Sequence, residues 1–276
     1  MSRPEAGGGK GEGPETGAGR VPRLHLITDG ATLTRDGFVA TAMEVAEALA
    51  ESGRDSEGEP GNGSRGSPVA FHLRGPGLSG RVLWELGRRL AKPLQAGGLR
   101  FLVNDRADVA QALGADGVHL AERSLPASWV RKWLGADTLL GRSIHDPHEA
   151  RTAGAVAPGP DGRKERASLD YLMVGTLWAT ASHPGRPGAG IERLLRVRSA
   201  VQEAGAGPVL PLIGIGGVTL ERVAEVMDGG GHGVAVKGGV WGASDPAAAG
   251  VRFRDRLRES PGRNGWGTGQ GETHEG

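Results

Sequence analysis

Cysteine is absent from the 276 residues. That excludes disulfides, thiolate metal sites and a cysteine nucleophile, and it fits a reducing, cytoplasmic setting. An excess of either charge is also missing. Lys and Arg number 33 against 32 Asp and Glu, a formal net charge of +1. Such a balance gives no electrostatic case for a nucleic-acid partner. No apolar run approaches the roughly 20 residues that span a bilayer, so no membrane partner is expected. The opening stretch MSRPEAGGGKGEGPETGAGR lacks the apolar core of a secretory signal.

Glycine, by contrast, is abundant at 50 residues and unevenly spread. Residues 1–22 and 259–276 are Gly-rich and polar. Neither stretch buries enough apolar surface to offset ordering entropy, so both are expected to be disordered tails. Two internal stretches, 53–68 and 156–169, read as flexible surface insertions. The remaining span, 23–258, reads as one domain.

Within that span short apolar runs alternate with helical patterns. The runs are LHLIT (24–28), VAFHLR (69–74), RFLVN (100–104), GVHL (117–120), TLLG (138–141), YLMVG (171–175), VLPLIG (209–214) and GVAV (233–236). Helical periodicity falls at 38–52, 79–92, 106–113, 126–135, 146–155, 191–204, 219–228 and 244–257. Near-continuous apolar strands mark a parallel sheet covered on both faces. Eight strand–helix units in succession predict an α/β fold, a TIM (β/α)8 barrel, with an open doubly wound sheet as the alternative. GADGV (114–118) and GGHGV (230–234) repeat one device. The first glycine ends a helix in a left-handed conformation and the second allows close helix–strand packing.

Chemistry in such a barrel sits at the C-terminal ends of the strands. GIGGV (214–218) and VAVKGG (234–239) follow the seventh and eighth runs, the usual phosphate position. Gly216, Gly217 and Gly238 let backbone N–H groups approach an anion, and Lys237 adds a cation. Thr219 is positioned to cap the next helix. Asp105 reads as a metal ligand, an ion-pair partner or, with Asn104, a helix cap. His119 alternates with Val118 and Leu120 and points into the barrel as a hydrogen-bonded core residue. Asp146 before Pro147 reads as a cap, with His145 beside it and His148 solvated. His183 lies in the long loop WATASHPGRPGAG, a length that usually carries function.

LITDG, FLVNDRADVAQALGADGVHLAERSLP, LLGRSIHDPHEA, DYLMVGTLWATASHPGRPGAG and PLIGIGGVTLERVAEVMDGGGHGVAVKGGVW occur in one order. Together they resemble the thiamine phosphate synthase/TenI superfamily over residues 24–250, minus the insertions. The resemblance implies a TIM barrel, a thiazole phosphate substrate and a role in thiamine biosynthesis. Synthases of that family join a pyrimidine diphosphate to thiazole phosphate and release pyrophosphate with Mg2+. Their Gln-x-Arg-x-Lys motif falls on His72, Arg74 and Pro76, so only the arginine is kept. Their Asn–Asp pair is Asn104 and Asp105, but the second metal-binding aspartate falls on Ser124. Ser143 matches, and Thr-x-Thr-Lys becomes Thr180, Ser182 and His183.

Losing two cations and one carboxylate weakens the case for diphosphate departure. The reading adopted from these losses is a TenI-like thiazole tautomerase. That reaction moves protons and needs no cofactor. The branch's catalytic histidine falls on Thr176, so His183, His145 or His72 is expected to transfer the proton. Arg74, Asn104, Ser143, Thr180, Ser182, Gly216, Gly217, Lys237 and Gly238 are expected to bind the phosphate substrate. One alternative is a thiamine-phosphate synthase, with Mg2+ at Asp105 and with Arg74, Lys237 or Arg186 replacing the lost cations. The other is a non-catalytic phosphate-ligand-binding homologue. Oligomeric state is open, a homo-oligomer included.

Overall fold

A computed structural model describes residues 20–54, 69–154, 168–180, 185, 187–204 and 210–260. Most of the expected tails and insertions lie outside this set, as do Ser182, His183 and Arg186. Arg20 to Pro22, placed in the N-terminal tail on composition, are structured. Val21 is buried, and its carbonyl accepts a hydrogen bond from His232 Nε2 at 2.8 Å.

Eight parallel strands close into a barrel in sequence order. They are β1 (Leu24–Ile27), β2 (Val69–Leu73), β3 (Arg100–Asn104), β4 (Gly117–Leu120), β5 (Leu139–Ile144), β6 (Tyr171–Val174), β7 (Leu212–Ile215) and β8 (Gly233–Val236). β1 pairs with both β2 and β8, which closes the ring. The helices are α1 (Gly30–Leu33), α2 (Phe38–Arg54), α3 (Gly80–Ala96), α4 (Ala107–Leu113), α5 (Ala127–Leu134), α6 (Pro147–Gly154), α7 (Ile191–Glu203), α8 (Leu220–Asp228), α9 (Gly238–Trp241) and α10 (Pro246–Glu259). No helix among the described residues is long and apolar enough to cross a membrane.

Strand side chains alternate between two apolar layers, as a period of two requires. Leu26, Phe71, Val103, Leu120, Leu172 and Val236 face the helices. Ile27, Ala70, Leu102, Leu139, Tyr171, Met173, Ile213 and Ala235 fill the interior. That interior also takes in His25, His72 and His119, each no more than 2% exposed. Tyr171 is its largest member, and it fits because its neighbour in register is Gly141. A Cβ at Gly141 would lie 2.0 Å from the tyrosine ring.

Some local expectations change. α3 runs past Lys92 and through Pro93 to Ala96, because the fully buried Leu94 anchors its last turn. Burial of that kind is worth about 2–5 kcal/mol on truncation to Ala, comparable to the roughly 3 kcal/mol cost of an internal proline. In GADGV and GGHGV the first glycines, Gly114 (φ 60°) and Gly230 (φ 85°), have the expected positive φ. Gly117 and Gly233 serve a different purpose. A Cβ at Gly117 would meet Leu139 O at 2.4 Å, and one at Gly233 would meet Arg23 O at 2.0 Å. Strand-to-strand crowding inside the ring demands these two, whereas Gly231 serves the expected helix packing, since a Cβ there would meet Val226 Cγ1 of α8 at 2.7 Å.

Candidate active site

Asp29, Arg74, Asn104, Asp105, Ser143, Thr176, Gly216, Gly217, Lys237 and Gly238 all lie at or just past the C-terminal strand ends. The β7 and β8 ends are neighbours, since Gly214 pairs with Val234 and Ile215 with Ala235. Gly216 (φ 98°) and Gly217 (φ 63°) occupy backbone conformations that favour glycine. Space demands it as well. A Cβ at Gly216 would lie 2.5 Å from Thr176 Cγ2, and one at Gly217 would lie 2.6 Å from Ala179 O. Arg222 holds this turn from α8. Its Nη1 donates to Gly217 O at 2.7 Å while its guanidinium lies over the Trp178 ring at 4.8 Å. Thr219 stands at the α8 cap position but its side chain makes no capping bond to the helix.

Across the β8–β1 seam Lys237 forms an ion pair with Asp29, which also accepts from Thr32 N at 2.8 Å. Partial burial pushes the Asp29 carboxyl up, but hydrogen bonds from Lys237 and Thr32 outweigh it and bring the group to about 2. Arg74 stands half-buried one residue past β2. Its backbone N–H donates to Thr28 Oγ1 at 2.9 Å.

Asp105 is not a helix cap. Arg106 occupies the α4 cap position, and Asp105 sits at φ 63° with its carboxylate turned to the next strand. There Oδ1 accepts from Ala121 N at 2.7 Å and from the Ser124 hydroxyl. Ser124 thus takes the place where a second carboxylate would stand, and it satisfies the first by hydrogen bonding. Glu122 faces His145 instead, at 3.7 Å. Among the described residues no group of three or more His, Asp or Glu could hold a metal. Asp105, with Oδ1 already taken by Ala121 N and Ser124, does not by itself make a protein-held Mg2+ site, an ion that is ordinarily held by one or two carboxylates together with substrate phosphates.

The histidines divide by location. His72 is fully buried inside the barrel, with Nε2 2.8 Å from His25 Nδ1 and Nδ1 3.0 Å from Asn104 Oδ1. Burial is the main cause that lowers its pKa, to about 4, and the nearby Arg74 charge adds to this. His119 is buried as expected, bonded to Tyr171 OH at 3.1 Å and Ser143 Oγ at 2.9 Å. His145 is exposed at the rim, and its Nδ1 donates to Gly175 O at 2.7 Å. Its Nε2 faces the Glu122 carboxylate at 3.7 Å. Asp146 caps α6 as expected, accepting from His148 N at 2.8 Å and Glu149 N at 2.9 Å. His25 and Tyr171 were missed in the sequence reading. The signal for them was their inward register beside His72 and Gly141.

A closed barrel of eight parallel strands in sequence order, with helices between them, defines the chain as a (β/α)8-barrel protein. The family described as thiamine monophosphate synthase (TMP-TENI) matches residues 39–240, and the chain belongs to it. It is 38% identical over 200 residues to a thiamine-phosphate synthase of Moorella thermoacetica, covering 72% of this chain and 86% of that one. It is 35% identical over 235 residues to the thiamine-phosphate synthase of Mycobacterium tuberculosis, covering 85% and 94%. A thiamine phosphate pyrophosphorylase from Pyrococcus furiosus shares the fold at TM-score 0.63 and 24% identity, covering 89% of this chain and 99% of that one.

Proposed function

We propose that the chain is a thiamine-phosphate synthase, joining a pyrimidine diphosphate to thiazole phosphate with release of pyrophosphate. The observation that carries this reading is its kinship, over 85% of its length, to proteins bearing that activity as their name. The tautomerase reading has less support. The relatives named above are synthases, and Thr176 is a poor general base.

In this reading Gly216, Gly217 and Gly238 offer backbone N–H groups to the thiazole phosphate, and Lys237 supplies a cation. Breaking the carbon–oxygen bond to the diphosphate leaves negative charge on the departing group. Arg74 and Lys237 are the rim cations placed to compensate it. Ser143, Asn104 and Thr180 orient the heterocycles. The donor set at Asp105 supports no step through a resident metal. A metal ion arriving with the diphosphate belongs to the substrate.

The test is purified protein with both substrates, assayed for thiamine phosphate and pyrophosphate with and without Mg2+, beside a separate thiazole tautomerase assay. Pyrophosphate release stoichiometric with coupling supports the synthase. Tautomerisation alone replaces it, and then His145→Gln should abolish turnover. Binding of thiazole phosphate without either reaction selects a non-catalytic role.

A further inference from the structure

A hydrogen-bonded string runs through the barrel axis from floor to mouth. Pro22 O meets His25 Nε2 at 2.9 Å, His25 Nδ1 meets His72 Nε2 at 2.8 Å, and His72 Nδ1 meets Asn104 Oδ1 at 3.0 Å. The proton inventory of this string is fixed from its lower end. A carbonyl only accepts, so His25 Nε2 carries a hydrogen. A neutral His25 then has a bare Nδ1, and His72 Nε2 must donate to it.

The next step depends on whether His72 is charged. The groups facing it are His25 on β1, His119 on β4 and Arg74 past β2, with the Tyr171 hydroxyl bonded to His119. None is a carboxylate, and His72 is fully buried. An imidazolium there would be an unpaired buried cation, which is strongly disfavoured. His72 is therefore neutral, with Nδ1 bare. Two acceptors cannot share a hydrogen bond, so the Asn104 group facing His72 is the amide N–H. The carbonyl and amino ends of a primary amide have the same shape, and the proton count decides between them.

We propose that His25 and His72 are positioning residues that lock the Asn104 amide with its oxygen turned to the barrel mouth. Asn104 then presents an acceptor to a substrate N–H or O–H donor. This rests on the synthase reading only in taking the mouth as the substrate site.

Two measurements on the full chain test it. The first is 15N NMR of ligand-free protein labelled at both histidine and asparagine, at neutral pH, which needs no turnover. His25 and His72 should both show a protonated Nε2 and a bare Nδ1, with a hydrogen-bond coupling from Asn104 Nδ2 to His72 Nδ1. An imidazolium or Nδ1–H form of His72 overturns the proposal. The second compares His72→Gln with His72→Leu in the coupling assay. A glutamine donates to His25 and accepts from Asn104, so it keeps the order. Leucine does not, and KM for the pyrimidine diphosphate should rise about tenfold, the cost of one misdirected hydrogen bond, with kcat within about threefold. Equal KM values for both variants also overturn it. Should the wild type show no coupling, the synthase reading fails and the NMR alone decides the relay.

Discussion

Lys237, one residue past β8, is ion-paired with Asp29, two residues past β1, across the seam that closes the barrel. In the proposed reading, where Lys237 is the cation of a phosphate cradle, the pair puts it in competition between a protein carboxylate and a substrate anion. Asp29 also caps α1 through Thr32. Asn is an equally good cap, so Asp29→Asn removes the competing charge and leaves the helix intact. Thiazole phosphate should then bind about fivefold tighter, the worth of a partly exposed ion pair of about 1 kcal/mol. Lys237→Met should weaken binding by at least as much. Calorimetric titration of both variants checks the pair. Unchanged affinity in Lys237→Met would place the phosphate elsewhere.

The same pair makes an acid-stability prediction. The folded Asp29 carboxyl lies at about 2, below its ordinary 3.8. A depressed carboxylate contributes stability above its unfolded pKa and loses it as pH falls through the folded one. The difference in melting temperature between wild type and Lys237→Met should therefore be constant above about pH 4 and shrink toward about pH 2, since the shift spans that window. A difference that grows on acidification contradicts the assignment.

Gly216 tests the turn after β7. Alanine there would face both φ 98° and Thr176 Cγ2 at 2.5 Å. Gly216→Ala should cost about 1–3 kcal/mol of unfolding free energy from backbone strain and overpacking. Thiazole phosphate affinity should fall with it. Double substitution with Thr176→Ser removes the Cγ2 contact and should recover part of the stability in a denaturant titration, leaving the backbone strain.

Much of the barrel was legible because its signal is local. β8 matches its apolar run residue for residue, and each helical stripe found its helix. β5 was read too short because Arg142 and Ser143 are polar, although they pair in register with Leu172 and Met173. Polar residues belong there, since that end of the strand opens into the mouth. Asp105 was legible as a carboxylate at a strand end but not in its partner. Its left-handed backbone turns it toward Ser124, a contact 19 residues away that no local pattern encodes. His72 was selected for proton transfer on residue type. Its position inside the ring makes it neutral and removes it from the surface of the site.

Ser124 also offers a gain-of-function test of the metal question. In the wild type its hydroxyl donates to Asp105 Oδ1, leaving one carboxylate at this strand end in place of two. Ser124→Asp replaces that donor with a second carboxylate beside the first. Like charges so close raise each other's pKa and favour a divalent cation between them. The variant should bind Mg2+ in the absence of substrate at millimolar concentrations or below, where the wild type shows no heat of binding. It should also lose stability without Mg2+, because the Asp105 hydrogen bond is replaced by repulsion. Adding Mg2+ should restore its melting temperature and leave the wild type unmoved. Equal Mg2+ affinity in both proteins would mean that Asp105 needs no second carboxylate, and that the hydroxyl of Ser124 yields its place to the ion.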